Sequence, residues 1–330
     1  MKFNHKHMLR ILFIGFLLLG GSQLTAQQVP MYSQYFFNNY AYNPALGGTN
    51  QTVNVTSNHR YQWVGLQDAP RTYTLTVEGP LNNQKMGLGA FLFTDHVGPT
   101  RRTGLQFSYS YIFKITEDVK LSLGLSAGIL EWKLDGHKVH LYSAGDQVLV
   151  DAVMRDIIPD ASFGFHLFHD KWYFGASAPN LLQNKLRFSN AQYTALSRLE
   201  DHYYINGGYK FDLGDDFQIE PGMIIKFVTP APIQFDPMVR LIWKEQLWIG
   251  GVYRGMFGPG TDGSSSFASN AASAMIGFTY KKNLQIGYSY DFAISNLNNY
   301  SNGTHELMLG VKFNKAQSFE ENKDAKGSFE

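Results

Sequence analysis

The stretch LQIGYSYDF, from Leu284 to Phe292, decides the fold. Its large apolar and aromatic residues occupy every second position, and Gln, Gly, Ser and Asp fill the positions between them. A period of two places the two sets on opposite faces of a β-strand. The same alternation recurs in LQFSYSYIF, Leu105 to Phe113, and in LSLGLSAGI, Leu121 to Ile129. The sequence therefore predicts an all-β protein built from two-faced strands.

The connections between the predicted strands alternate in length. About fourteen strands follow one another between residues 51 and 314, and tight polar turns such as Gly214-Asp215 and Lys282-Asn283 join every second pair. Four of the other connections are long, at residues 131–157, 179–201, 256–272 and 293–304. Short periplasmic turns opposite long outer loops are typical of bacterial outer-membrane barrels. We therefore predict a transmembrane antiparallel β-barrel of about fourteen strands, a closed form that pairs every backbone group within lipid.

The N-terminus predicts export. Three basic residues precede the apolar run from Ile11 to Gly21, and Ala26 offers a cleavage site, so residues 1–26 form a predicted signal peptide. Its removal leaves 25 of the 28 basic residues and all 27 acidic ones, a net charge of −2. That balance gives no reason to expect nucleic-acid binding. Because the chain has no Cys, the fold must close by backbone pairing and packing rather than by disulfides.

The segment SQYFFNNYAYNPALGG, Ser33 to Gly48, does not fit the strand pattern. It is too aromatic for a solvated tail, and Pro44 makes it a poor central strand because proline cannot donate to a ladder. With both chain ends periplasmic, residues 27–50 lie at the barrel mouth, and we predict that they fold into the lumen as a plug. The residues expected to form this plug are Ser33, Tyr35, Phe36, Asn39, Tyr42, Asn43, Pro44, Gly47 and Gly48.

Four further residues are candidates for contact with a partner. Arg60 and Trp63 lie near the predicted outer end of the first strand, and Arg101 and Arg102 follow a Gly-Pro pair in a predicted outer loop. A guanidinium group binds carboxylates and anionic lipid, although a solvated loop and an interfacial tryptophan explain the same residues. All the tryptophans lie near predicted strand ends, where we expect them at the membrane interfaces. They are Trp63, Trp132, Trp172, Trp243 and Trp248.

The remaining polar residues form no recognisable catalytic or metal site. His137 and His140 share a predicted outer loop with no further ligand, and zinc needs three or four. His166 lies near a predicted turn, and Asp95-His96 has no nucleophile in an identifiable context. We therefore expect no enzyme activity, no metal and no cofactor.

Taken together, these motifs resemble the PorP/SprF family of outer-membrane proteins of the type IX secretion system. The likeness begins with the predicted plug and covers essentially the whole mature chain. Its other motifs are HRYQWVG from His59, GPTR from Gly98, LSLGLSAG from Leu121, PDASFGFHLFHDKWYFGASAPNLL from Pro159 and HELMLGVKF from His305.

The resemblance implies a non-enzymatic component that supports secretion and surface attachment of cargo such as adhesins, in gliding-type machinery. Its implied partners are outer-membrane lipid, the cargo, and periplasmic and outer-membrane secretion components. The segment around Asn43-Pro44 also resembles the hatch of FadL-type transporters of hydrophobic small molecules, which is the alternative. A lipid-modifying barrel enzyme is a third. The predicted divisions are the signal peptide 1–26, the plug 27–50, the barrel 51–314 and a charged, disordered periplasmic tail 315–330.

Overall fold

A computed structural model describes residues 32–50, 52–81, 85–138, 153–182, 201–228, 231–259, 265–294 and 296–314. The predicted cleavage site after Ala26, the loop residue His140 and the predicted tail 315–330 lie outside the described residues. Among the described residues, no helix is long and apolar enough to cross a membrane.

The described chain consists almost entirely of antiparallel strands. Fifteen strand segments are present: β1 (Thr52–Tyr61), β2 (Arg71–Pro80), β3 (Met86–Val97), β4 (Thr100–Lys114), β5 (Lys120–Asp135), β6 (Val153–Phe168), β7 (Trp172–Ala178), β8 (His202–Tyr209), β9 (Phe211–Leu213), β10 (Phe217–Val228), β11 (Ile233–Trp243), β12 (Leu247–Pro259), β13 (Ser265–Tyr280), β14 (Leu284–Ala293) and β15 (Thr304–Asn314). Four short 3₁₀ turns lie at Asn39–Ala41, Pro44–Leu46, Gly136–Lys138 and Asn296–Asn299.

The strands close into one barrel. Each strand pairs with its neighbours in sequence, and β1 pairs with β15 from Thr52 opposite Asn314 to Tyr61 opposite His305. The segments β8 and β9 are two parts of one barrel strand, interrupted at Lys210, because both pair with β10. The predicted barrel of fourteen antiparallel strands is thereby confirmed.

The barrel has two unlike ends. The turn end holds the first residue of β1, the last residue of β15 and the tight connections, such as 214–216, 244–246 and 281–283. At the loop end, strands end at Tyr61, Asp135, Ala178 and Ala293, and the next strands begin at Arg71, Val153, His202 and Thr304. Two predicted long loops are shorter than expected, because ladder pairing continues to Asp135 opposite Val153 and to Pro259 opposite Ser265.

Side chains alternate between lipid and lumen as the sequence predicts. In β14, Ile286 and Tyr288 are exposed on the outer surface, whereas Ser289 and Asp291 are buried inside. The predicted interfacial position is wrong for two tryptophans. Trp248 is only 3% exposed and packs with the lumen aromatics, and Trp132 faces the lumen beside Arg102. Ile249, the neighbour of Trp248, points outward with 50% exposure, so strand parity alone turns Trp248 inward.

Two tight turns at the turn end have unusual backbone geometry. Lys244 and Glu245 have φ of 50° and 56°, and Lys281 and Lys282 have φ of 48° and 62°. Two successive positive φ values define the type I′ hairpin turn, whose twist matches that of the strands it joins. This left-handed region is costly for side chains that carry a Cβ.

Candidate functional site

Residues 32–50, here called the lumen segment, lie inside the barrel. Tyr35 is 1% exposed, Asn43 is 2% exposed and Ala45 is fully buried. The segment leaves the lumen at the turn end, where β1 begins. The predicted plug residues therefore line up along the lumen, with Asn39 and the aromatic ring of Phe36 also bordering the open space at the turn end.

The deepest anchor joins the beginning of the segment to β14 and β15. The backbone N–H groups of Ser33 and Gln34 donate to the Glu306 carboxylate at 2.8 and 3.1 Å. The Ser33 hydroxyl donates to Asp291 at 2.8 Å, and the Gln34 amide donates to the Glu306 carbonyl at 3.0 Å. Hydrogen bonds to carboxylates are about twice as strong as those between neutral groups.

These two carboxylates belong to an ion cluster in the lumen. Arg60 bridges Asp291 at 2.7 Å and Glu306 at 3.0 Å, and its guanidinium also donates to the Ser33 hydroxyl at 2.7 Å. The cluster contains three cations and three carboxylates, and each side chain is less than a tenth exposed. Its members are Arg60, Lys226, Arg254, Asp236, Asp291 and Glu306.

Equal numbers of opposite charges make this burial tolerable. Lys226 pairs with Asp236 at 2.8 Å, and Arg254 approaches Asp291 at 3.5 Å. A buried pair adds little net stability, but removing one partner leaves an uncompensated buried charge that costs about 3–5 kcal/mol. The cluster therefore holds the lumen segment in one specific position, and loss of a single charged member should destabilise the fold.

Polar side chains hold the middle of the segment. The Asn38 amide donates to Asn58 at 2.8 Å, and its carbonyl oxygen accepts from Thr76 at 2.9 Å. The Tyr40 hydroxyl is 2.7 Å from that of Ser108. These contacts join the middle of the segment to β1, β2 and β4.

Asn43 and Pro44 begin the second 3₁₀ turn. The Asn43 side-chain oxygen accepts from the Ala45 backbone N–H at 2.9 Å, and Pro44 takes the first turn position, which its fixed φ suits. The Asn43 amide donates to the Phe165 carbonyl at 2.9 Å. The break in strand pattern at Asn43-Pro44 is thus a capped turn joined to the barrel wall.

Glycines allow the segment to approach the wall. Gly48 has φ of +72°, a conformation that favours glycine, and its N–H donates to Glu78 at 2.9 Å. A Cβ on Gly87 would collide with the Gly47 backbone, and one on Gly124 would collide with the backbone of Pro44 and Ala45. The Gly-rich inner face is therefore shaped to this segment.

Aromatic rings fill the space between the polar anchors. Tyr35 lies 4.5 Å from Phe36 between ring centroids, and Tyr42 lies edge-on to Tyr204 at 5.2 Å. Phe37 stacks on Trp248 at 4.0 Å. These rings belong to a buried cluster in the middle of the lumen.

The four candidate partner residues separate into two pairs. Arg60 and Arg102 point into the lumen, where Arg102 pairs with Asp95 and lies 5.2 Å from the Trp132 ring centroid. Trp63 is 40% exposed in the connection 62–70, and Arg101 is exposed on β4. Only the second pair is therefore available at the surface of the loop end.

The lumen opens at the turn end into a cavity of about 660 Å³, here called the vestibule. The lumen segment forms its inner end with Phe36 and Phe37, beside Trp248. Charged side chains line its wall, namely Lys120, Lys210, Arg240, Lys282, Lys312, Glu78, Asp170, Glu220 and Glu245. His166 also lines it, on the inner face of β6.

A second, smaller cavity of about 60 Å³ lies between the lumen segment and strands β3 to β6. Phe91, Phe93 and Leu130 supply an apolar lining, and Asp160 and Ser162 supply polar groups. Within the described residues, the Asp160 Oδ1 and Ser162 Oγ atoms have no hydrogen-bond partner. This volume is far below the roughly 300–1,000 Å³ of typical small-molecule sites.

Sequence reasoning missed the carboxylates that hold the segment. Asp291 and Glu306 lie at inward positions of β14 and β15, and Glu78 does so in β2. Their sequence signal was a charged residue on the polar face of a strand whose other face is apolar, which indicates a charge inside the barrel. Within the described residues, no group of three or more His, Asp or Glu side chains could hold a metal ion.

The fold and its filled lumen define a plugged, outer-membrane-type β-barrel. Residues 24–311 match the family described as "Type IX secretion system membrane protein PorP/SprF". Since the match covers most of the chain, the protein belongs to the PorP/SprF family and is an outer-membrane component of the type IX secretion system. No curated protein matches the chain.

Solved structures similar to this chain are also outer-membrane barrels. A Pseudomonas aeruginosa FadL homologue shows a TM-score of 0.46 at 11% identity, over 83% of this chain and 93% of that one. Acinetobacter baumannii Omp33 shows a TM-score of 0.42 at 11% identity, over 80% of this chain and 98% of that one. These values are too low for the likenesses to bear on function.

Proposed function

We propose that this protein supports the secretion of cargo proteins such as adhesins and their attachment to the cell surface, as part of gliding-type machinery. It does so without catalysis, by binding cargo and other secretion components. The turn end faces the periplasm in this proposal, and the loop end faces the outside.

The observation that carries the proposal is the filled lumen. Buried hydrogen bonds fix the lumen segment to several strands, through Ser33, Asn38 and Asn43. A barrel held shut in this way is suited to binding at its two ends rather than to passing solutes. Family membership supplies the link to secretion.

Gene deletion tests this function directly. Loss of the protein is expected to leave adhesin-type cargo synthesised but released into the medium or degraded, and the intact gene on a plasmid should restore it. The measurement is immunoblotting of cargo on washed cells and in the medium. Cargo that stays on the surface of the deletion strain would refute the proposal.

Transport of a hydrophobic small molecule is the second candidate. The observation in its favour is the apolar lining that Phe91, Phe93 and Leu130 give to the small cavity, which would have to widen by movement of the lumen segment to hold such a molecule. The expected sign of transport is a specific lipid or hydrocarbon that copurifies with the protein and disappears in the Phe93→Asn variant. Organic extraction followed by mass spectrometry decides this, since an extract that matches the detergent blank rejects transport.

A further inference from the structure

We propose that the vestibule binds an acidic peptide segment that contains an aromatic residue and enters from the turn end. The inference rests on the proposed function, in which other secretion components meet the protein on its periplasmic side. It adds the site and the chemistry by which one such component is recognised.

Three lysines of the vestibule wall have no ion-pair partner among the described residues. Lys120, Lys210 and Lys312 all line the cavity, and within the described residues none of them takes part in an ion pair. Lysines of the same barrel end that lie outside the vestibule behave differently, since Lys171 pairs with Asp212 at 3.1 Å and Lys244 with Asp216 at 3.5 Å.

Two of the four vestibule carboxylates are paired with cations, since Glu220 pairs with Arg240 and Glu245 lies 3.9 Å from Lys282. Glu78 accepts hydrogen bonds from Asn54 and from the lumen-segment backbone and keeps its charge. Five cations and four carboxylates line the wall, so the vestibule carries a net charge of +1, which favours an anionic ligand.

The inner end of the vestibule offers an aromatic surface. Phe37 stacks on Trp248, and the Arg240 guanidinium lies 4.7 Å from the Phe37 ring centroid. Phe36 and Phe37 both border the cavity, so a ring of the bound ligand would meet them there.

The size and shape select a peptide of a few residues. The cavity of about 660 Å³ falls within the range of specific ligand sites. Lysines on the wall and aromatic rings at the inner end match a ligand that carries carboxylates and a ring. Because Phe36 and Phe37 belong to the lumen segment, the bound peptide would touch the plug itself.

The test uses the full-length protein in detergent and a fluorescein-labelled hexapeptide with three glutamates around one phenylalanine. Fluorescence anisotropy should show saturable binding that weakens as salt rises. The triple variant Lys120→Gln, Lys210→Gln, Lys312→Gln should bind at least about tenfold more weakly, as expected for lost charge pairing at a shielded site. The matched control Lys171→Gln, Lys244→Gln should stay within about twofold.

A second variant tests the aromatic inner end. Phe37→Leu keeps an apolar side chain at the inner end of the vestibule and removes the ring, so it should weaken peptide binding by about threefold or more. Heat-modifiable gel migration confirms that each variant remains a folded barrel. Equal losses in the triple and control variants would overturn the site, as would a peptide with lysines in place of glutamates that binds equally well.

Two outcomes separate this inference from the proposed function. If the acidic peptide does not bind the intact protein, the vestibule site is overturned. The proposed role in secretion is then still tested separately, by cargo attachment in the deletion strain. Binding that anionic lipid vesicles abolish, and neutral vesicles do not, would assign the lysines to a lipid surface and overturn the peptide.

Discussion

Arg60 shows how one side chain can connect three parts of this molecule. Its guanidinium contacts β14 through Asp291, β15 through Glu306 and the lumen segment through Ser33. From the sequence, we predict that Arg60 lies near the outer end of the first strand, where it could contact a partner. Its partners are instead inside the barrel, because the position has inward parity and the neighbouring strands β15 and β14 carry the matching carboxylates.

Replacement of Arg60 tests the ion cluster. Arg60→Ala should lower the free energy of unfolding by about 3–5 kcal/mol, because Asp291 and Glu306 lose their nearest cation. The measurement is urea unfolding of the purified protein in lipid, followed by tryptophan fluorescence. The exposed residue Arg101 supplies the control, since Arg101→Ala should change stability by less than about 0.5 kcal/mol.

A charge-balanced variant makes the prediction sharper. Arg60→Met combined with Glu306→Gln removes one cation and one anion and leaves Lys226 and Arg254 opposite Asp236 and Asp291, so it should recover much of the stability that Arg60→Ala loses. If the single and double replacements are equally damaging, packing rather than charge explains the loss.

Gly124 tests the close approach of the lumen segment to the wall. Gly124→Ala places a Cβ against the backbone of Pro44 and Ala45, and we expect a loss of about 1–3 kcal/mol from overpacking. Gly251→Ala is the control, because its Cβ would meet a neighbouring carbonyl at an ordinary 3.4 Å. Limited proteolysis should cut the lumen segment faster in the first variant only; equal rates would contradict the fit.

At the scale of elements, strand parity was predictable and the contacts between elements were not. Alternation in LQIGYSYDF already assigns Ser289 and Asp291 to the inner face. The bond from Ser33 to Glu306 joins residues 273 apart in sequence, and no local pattern encodes such a pair. The location of the lumen segment was predictable, because the segment precedes the first strand and so lies at the mouth of the barrel. Its hydrogen bonds were not, because they depend on which carboxylates face the segment once the barrel has closed.

The turn at Lys281-Lys282 gives a prediction at this scale. Both residues have positive φ, and Asn-Gly is the pair that best suits a type I′ turn. The double variant Lys281→Asn, Lys282→Gly should therefore raise the free energy of unfolding by about 1 kcal/mol. Thermal unfolding measures it, with Lys120→Gly within β5 as a control that should destabilise; a loss in the turn variant would contradict the backbone argument.

For the whole molecule, the lumen segment decides whether the barrel conducts. Replacing residues 33–48 with a flexible Gly-Ser linker of the same length removes the anchors and keeps the connection to β1. In planar lipid bilayers the intact protein should be closed, and the replaced protein should show ion conductance. If the two proteins conduct alike, the segment does not seal the barrel.

Surface proteolysis tests the orientation of the whole barrel. In intact cells, a protease should reach connections of the loop end such as 62–70 and 294–303. Connections 214–216 and 281–283 at the turn end should resist until the outer membrane is permeabilised. The reversed pattern would invert the periplasmic assignment of the vestibule.

Closure of the seam and seating of the segment depend on each other. The seam is the ladder between β1 and β15, the first and last strands, and the segment just before β1 is held by Glu306 of β15. During biogenesis, its deepest fastening can form only after the entire chain has reached the membrane. A chain that is truncated or paired in the wrong register would leave its N-terminal segment accessible to periplasmic proteases. Incomplete barrels would therefore be degraded in preference to complete ones.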